Sequence, residues 1–185
     1  MRIKAILNRD GGTLKTTDLD AFSAHLGKAF AEVGHSIEID LIAGDDLIAA
    51  LEDAGGDPRV DAIIAGGGDG TISAAAGIAW KSEKVLGVLP AGTMNLFARS
   101  LDVPLDLDEA AMALAWGQTI DCDIGTANGK SFVHQFSVGL QPRVIKDRDQ
   151  QEHGSRLGKM VSGVATMVSN LAEPPVFRAD ISCDG

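Results

Sequence analysis

The 185-residue sequence has no tyrosine, two tryptophans and only two cysteines. Cys122 and Cys183 cannot make a disulfide framework, and no Cys-x-x-Cys or Cys/His spacing suits zinc. Both are read as free thiols of a reducing compartment. Basic charge is also scarce: 16 Lys and Arg face 26 Asp and Glu, a net charge of −10. A nucleic-acid binder needs cations to neutralise phosphates, so nucleic acid is excluded as a partner. The deficit is concentrated in residues 1–120, which carry 9 basic and 18 acidic groups. Residues 121–185, with 7 and 8, are nearly neutral and would be repelled less by a membrane surface. No apolar run approaches the ~18 residues of a membrane span. Met1–Leu7 is too short for the apolar region of a signal peptide with its flanks. His25, His35, His134 and His153 are scattered without metal spacing, and no Gly-x-Ser-x-Gly elbow appears.

What is present is a strand–helix alternation. Arg2–Leu7 reads as a strand ending at Asn8, followed by the loop Arg9–Gly12. Asp18–Val33 reads as a helix with Leu19, Phe22, Leu26, Ala29, Phe30 and Val33 on one face, Thr17 as N-cap and Gly34 as C-cap. Ser36–Ile42 alternates as a strand. Asp45 opens a short helix with Leu47, Ile48 and Leu51 inward, broken by Gly55–Pro58. Val60–Ala65 and Lys84–Leu89 are apolar runs typical of strands buried on both faces. Helices are expected over 71–80, 94–101 and 107–116. The fold class is therefore α/β, an open parallel sheet with flanking helices.

After Gly117 the pattern changes. Ile120–Thr126 and Lys130–Leu140 read as strands joined by Asn128–Gly129, a hairpin signal. Lys146–His153 reads as a polar loop, Arg156–Leu171 as an amphipathic helix and Val176–Cys183 as a further strand. The apolar stripe of 156–171 suits a core better than a membrane surface. Two domains are expected: a nucleotide-binding α/β domain over 1–118 and a partial β-rich domain over 119–185. Gly125–Ser131 has some likeness to a phosphate-binding Walker loop. It is one residue short and lies between strands, so it reads as a hairpin turn.

The candidate chemistry lies in two loops. Gly66, Gly67, Gly68, Asp69, Gly70 and Thr71 follow a buried strand directly and precede a helix. Glycines let a ligand approach the backbone N–H groups, and the helix adds its positive end, which makes a phosphate cradle. A carboxylate there, Asp69, is a candidate for general-base work or metal handling. A plain glycine turn with Asp69 as helix N-cap is the other reading. The second loop, in Leu89–Arg99, again follows a strand and opens a helix, on the same rim of the sheet. Gly92 allows close approach, Thr93 can donate to phosphate, and Asn95 can bond ligand or loop backbone. Here the other reading is Thr93 as a plain N-cap.

Gly-Gly-Gly-Asp-Gly-Thr at 66–71, followed some twenty residues later by Leu-Pro-Ala-Gly-Thr-Met-Asn-Leu-Phe-Ala-Arg at 89–99, resembles the diacylglycerol kinase catalytic-domain family, which includes bacterial lipid kinases and sphingosine kinases. Asn8 fits that family's first nucleotide-contacting Asn, and 132–140 resembles the strand that opens its β-rich domain. Several positions depart from the pattern. Arg9 stands where Pro is usual, Asp40 near a nucleotide-contacting Thr, Ser73–Ala74 for Asn–Glu, Leu96 for a frequent Asp, and His134–Gln135 for an Asn-rich pair. The resemblance implies ATP and Mg²⁺ as cofactors and transfer of the γ-phosphate to a hydroxyl of a lipid presented at a membrane surface. It implies a cytoplasmic protein peripheral to the inner face of the membrane, with a homodimer as a further candidate partner. It also implies a late metal-binding Asp and a DGE-like motif. Neither is found before Gly185, so the chain is expected to be part of a longer protein that binds nucleotide without the full catalytic set. An NAD kinase-like enzyme shares the first loop, and a non-catalytic nucleotide-binding regulatory module is the reading from another class.

Overall fold

Strand β1, Arg2–Asn8, alternates its side chains between two helical layers. Ile3, Ala5 and Leu7 face one layer, and Ile6 faces the other. The structure, a computed structural model, describes residues 1–137. Helix α1, Leu19–Glu32, follows, then strand β2, Ser36–Ile42, and helix α2, Leu47–Gly56, entered through a 3-10 turn at Gly44–Asp46. Strand β3, Ala62–Gly67, helix α3, Asp69–Lys81, and strand β4, Val85–Pro90, complete the sheet. Two short helices follow, α4, Leu96–Ser100, and α5, Leu107–Trp116. Strands β5, Gly125–Ala127, and β6, Lys130–Phe132, form a separate antiparallel pair.

The four-stranded sheet is wholly parallel, in the order β2-β1-β3-β4. The chain winds outward from β1 to β2, then crosses back to β3 on the other side of β1. The loops leaving β1 and β3 therefore diverge at neighbouring strand ends, which is the switch point where open α/β sheets form a ligand crevice. Residues Phe22, Leu26, Ala29 and Phe30 of α1 and Leu107, Ala110, Ala111 and Ala115 of α5 fill one face. The other is filled by Leu47, Leu51 and Ala54 of α2, Ile72 and Ala75 of α3, and Phe97 and Ala98 of α4. β3 is buried along its whole length because it has a strand on each edge and helices on both faces.

The open parallel sheet with flanking helices agrees with the fold expected, but several boundaries move. Asp18, not Thr17, caps α1, its carboxylate accepting from the Ala21 N–H at 3.1 Å. The helix ends in a Schellman turn: Gly34 N–H donates to Ala31 C=O and His35 N–H to Phe30 C=O, with Gly34 at φ +78°. Ile48 is 45% exposed, whereas Leu47, Leu51 and Ala54 are buried. Leu47, Leu51 and Ala54 follow the 3.6-residue period, whereas Ile48 falls off that face. β3 begins at Ala62 because Asp61 is held outward by Arg2, and β4 runs from Val85 to Pro90. The strand expected from Ile120 is regular only over Gly125–Ala127; its partner, expected over Lys130–Leu140, is a strand over Lys130–Phe132 among the described residues, and 138–140 lie outside them. Asn128 and Gly129 both have positive φ, +51° and +75°, as a two-residue hairpin turn of this hand requires. The hairpin packs on α3, where a Cβ at Gly77 would collide with Ser131 Oγ. The loop at 146–153, the helix at 156–171, the strand at 176–183 and Cys183 lie outside the described residues. Cys122 is a free, exposed thiol.

At the N-terminal end of the strands Arg2 and Asp61 are paired at 2.9 Å, and the Arg2 N–H also donates to the same carboxylate at 2.7 Å. These bonds from Arg2 hold the Asp61 carboxyl down at about 2, below its usual 3.8. A depressed carboxyl stabilises the fold above its unfolded value and loses that contribution as pH falls through its folded one. Arg2→Met should thus flatten the dependence of the urea midpoint on pH between about 4 and 2. Unchanged slopes would show that the pair is not formed in solution. In the core, Leu51→Ala should cost about 2–5 kcal/mol in denaturant unfolding. Ile48→Ala should stay within about 0.5 kcal/mol. Equal losses would refute the orientation of α2.

Candidate functional site

Three loops leave the C-terminal ends of β1, β3 and β4 and meet. The first runs from Asn8 into a 3-10 turn at Gly12–Thr16. Leu14 anchors it, wholly buried against the sheet with Leu7 and Leu89. Gly12 has φ +52°, and a Cβ there would overlap the Ala91 carbonyl, so only glycine suits both the conformation and the approach. The neighbouring Thr13 N–H donates to Ala91 C=O at 2.8 Å, and Ala91 N–H donates to Gly67 C=O at 3.1 Å. Backbone bonds thus join the β4 loop to both of the others.

The loops after β3 and β4 touch at their glycines. A Cβ on Gly92 would strike the Gly68 Cα, and one on Gly68 would sit 3.6 Å from the Gly92 Cα. Gly68 is the N-cap of α3 and offers no side chain to cap it. The first helical bond is Ile72 N–H to Gly68 C=O, which leaves the amides of Asp69, Gly70 and Thr71 without a partner among the described residues. The helix thus begins two residues earlier than its expected start at Thr71, and Asp69 is its first helical residue rather than its cap. Gly70 is exposed, with open space where a side chain would be. Gly67 ends β3 with the Thr71 side chain folded over it, 2.6 Å from where a Cβ would lie. Gly66 is buried inside the strand, in a space filled by Leu7, Leu14 and Leu89. Gly66 therefore serves packing at this position, whereas Gly67 to Thr71 form the turn itself.

Asp69 does not cap its own helix. Its Oδ1 accepts from the Leu96 N–H at 2.6 Å and its Oδ2 from the Asn95 N–H at 3.1 Å. Asn95 is the N-cap of α4 and adopts the left-handed conformation, φ +51° and ψ +45°. It is the buried polar residue among the described ones. Its Oδ1 accepts from the Gly92 N–H and its Nδ2 donates to the Gly92 C=O, both at 2.8 Å. The Asn95 side chain thus bonds loop backbone, the second of the two uses its sequence position suggested. The helix expected from Met94 starts at Leu96, and Asn95, not Thr93, is its cap. Thr93 and Met94 are left exposed at the tip between the two glycine contacts and α4.

Asn8 ends β1 on the same rim, its Oδ1 accepting from the Asp10 N–H at 3.1 Å. A Cβ on Gly11 would meet its amide at 2.8 Å. Asp40 faces elsewhere: its carboxylate is 2.8 Å from Lys4 Nζ, which also pairs with Glu38. Three further residues shape the rim. Asp10 accepts from the Gly44 N–H at 3.1 Å, joining the β1 and β2 ends. Gly12 makes the approach to Ala91. Arg99 donates from Nε to the Met94 C=O at 2.9 Å, placing a guanidinium beside the exposed tip. Arg99 stood inside the second motif, but its bond to a carbonyl five residues back has no sequence signal. Among the described residues no group of three His, Cys, Asp or Glu is arranged to hold a metal. None of their helices is long and apolar enough to cross a membrane.

Residues 2–127 match the model of the diacylglycerol kinase catalytic domain. The chain is 30% identical over 158 residues to a probable lipid kinase, YegS-like, of Cronobacter sakazakii, covering 83% of this chain and 51% of that protein. It is 32% identical over 130 residues to one from Yersinia enterocolitica, covering 68% and 42%. A crystal structure of a diacylglycerol kinase from Bacillus anthracis superposes with a TM-score of 0.58 at 27% identity, over 71% of this chain and 49% of that one. The chain spans about half the length of the curated relatives it matches.

The glycine contact yields a direct comparison. Gly92→Ala must push the β3 and β4 loops apart and should cost about 1–3 kcal/mol, as overpacking does. It should also shift the amide resonances of Gly68 and Asn95. Gly70→Ala enters open space and should change stability by less than about 0.5 kcal/mol. Thermal or urea unfolding of both variants checks this. A neutral Gly92→Ala would mean the loops do not touch.

Proposed function

The chain belongs to the diacylglycerol kinase catalytic-domain family, and from that premise we propose that it binds ATP at the rim formed by the β1, β3 and β4 loops and takes part in phosphoryl transfer to a lipid hydroxyl. The observation that carries this reading is that three free amides at the start of α3 and the exposed Thr93 lie on the two loops that meet at the Gly68–Gly92 contact. Amides at a helix N-terminus bind anions because their partial positive charge is fixed and needs no counterion. That matters in a chain whose first 120 residues carry twice as many acids as bases. In this reading the N–H groups of Gly68, Asp69, Gly70 and Thr71 and the hydroxyl of Thr93 hold the phosphates. Gly67 gives room for the Thr71 side chain and Gly92 for the close approach of Gly68, and Asn8 lines the β1 side of the cradle. Gly66 acts one step behind, through packing. Asn95 holds the second loop in shape.

Transfer forms a bond from the acceptor oxygen to Pγ, breaks the bond from Pγ to the β–γ bridging oxygen and passes the hydroxyl proton to water, releasing ADP. The catalysis lies mainly in positioning and charge stabilisation. The described residues do not fit a Mg²⁺ site held by the protein itself: no acidic cluster is present among them, and both Asp69 oxygens already accept N–H bonds. Mg²⁺ is proposed only as the partner of the nucleotide phosphates, and no step is assigned to it. The lipid acceptor is proposed as one presented at a membrane surface and phosphorylated from its aqueous side. A cytoplasmic setting at the inner face of the membrane, a homodimer, and a β-rich domain over 119–185 belong to the same proposal. An NAD kinase-like enzyme is disfavoured by the sequence of the second loop, Gly-Thr-Met-Asn-Leu-Phe-Ala-Arg at 92–99, which follows the diacylglycerol kinase pattern.

Two measurements test the reading. Millimolar ATP with Mg²⁺ should shift the amide resonances of Gly67, Gly68, Gly70 and Thr93 in the 185-residue chain. If they stay unmoved in the folded protein, the cradle is not a nucleotide site. The full-length protein, given radiolabelled ATP with a panel of extracted lipids and NAD, should label a lipid. Labelling of NAD in its place would assign the rival chemistry.

A further inference from the structure

Asp69 is the one carboxylate in the candidate cradle, and a carboxylate beside phosphate is repelled unless something holds it away. Its two oxygens are each aimed at a backbone N–H of the other loop, Leu96 at 2.6 Å and Asn95 at 3.1 Å. The carboxylate is half-buried there, and the shorter of these bonds has the length of a strong charge-assisted bond. The two amides it grips follow one another at the only described helix whose cap, Asn95, is a left-handed non-glycine residue. That conformation is disfavoured for most residues with a Cβ and tolerated by Asn. It is retained because Asn95 is bonded on both sides, through its side chain to Gly92 and through its N–H to Asp69. Gly92 in turn sits against Gly68, the residue before Asp69. The ring closes: Gly68, Asp69, Asn95, Gly92, and back to Gly68.

The geometry points to Asp69 as a positioning residue, a clamp that fixes the β4 loop against the start of α3 so that Thr93 and the α3 amides face one phosphate-bearing ligand together. The carboxylate acts through Asn95 and Leu96, with no contact to the transferred group. Its negative charge is met by the two amides it binds, so the outward amides of α3 keep their pull on an anion. Asparagine cannot replace it: the amide oxygen can accept one of the two bonds, but the amide nitrogen then faces the second N–H as donor against donor. The functional consequence rests on the nucleotide reading above, whereas the clamp itself can be observed without any ligand.

The test uses the ¹⁵N-labelled 185-residue chain. In the wild type the Leu96 and Asn95 amides should be protected from hydrogen exchange, with Leu96 shifted downfield, and should remain so when MgATP is added. Asp69→Asn should lose that protection. Its affinity for ATP should fall about tenfold, by the same factor with Mg²⁺ and with EDTA. Three results would each overturn the clamp. One is an unprotected Leu96 amide in the wild type. Another is loss of that protection on adding MgATP, which would show the carboxylate leaving to serve metal or proton. The third is a loss of affinity in Asp69→Asn seen only with Mg²⁺. Should Asp69→Asn fail to fold, the wild-type measurements decide alone. Should the wild type bind no ATP, the nucleotide reading fails, and Leu96 protection still tests the clamp.

Discussion

Gly68 and Gly92 meet where no side chain could, and the two loops that leave β3 and β4 become one body because of that contact. Everything else at the rim depends on it. Asn95 can reach both backbone groups of Gly92 only because the loop turns back on itself there. Asp69 can reach the Asn95 and Leu96 amides only because α3 starts immediately beyond Gly68. A single Cβ at Gly92 would separate the helix start from the loop that faces it. Close packing explains why such a small change would be felt: neither backbone has slack to absorb it.

The sheet prepares this meeting. With the order β2-β1-β3-β4, the strands whose ends carry the glycine loops lie side by side, and the first loop is pinned from below by Leu14. The helices flanking the sheet bury apolar faces on both sides, so the strand ends cannot shift independently. Polar satisfaction at the rim is shared between backbone bonds, Thr13 to Ala91 and Ala91 to Gly67, and the side chains of Asn8, Asp10, Asp69, Asn95 and Arg99.

Charge gives the second constraint. The chain is acidic, and the cations near the strand N-termini are spent on Asp57, Asp61, Glu38 and Asp40. A cradle for an anion in such a background has to rely on amide dipoles rather than on a basic patch. The free first turn of α3 supplies them, with Arg99 as the one guanidinium bonded to the tip of the second loop. Enclosing Asp69 between amides follows the same logic, since an acid left open in that place would oppose the ligand.

By itself the sequence determined the alternation of strands and helices, the burial of β3, the Asn128–Gly129 turn and the two loops that matter, because periodicity, glycine clusters and strand–loop–helix order are local properties. Helix α5 begins and ends where its pattern does, at Leu107 and Trp116. Local pattern misled where a neighbour decides. Ile48 is apolar enough for the core, yet it is left exposed while Leu47, Leu51 and Ala54 pack against the sheet. Thr93 and Thr17 are good caps by type, but Asn95 and Asp18 hold those places. Asp102 and Glu83 take left-handed conformations that no glycine announces. The tertiary structure alone decided the partner of Asp69. A carboxylate after three glycines suggests a ligand or its own helix, and nothing within the motif reveals two amides 26 and 27 residues away. Their distance in sequence is bridged by β4, whose parallel pairing with β3 brings both loops to one rim. Hydrogen bonds of that range follow from strand order, which short stretches of sequence do not encode.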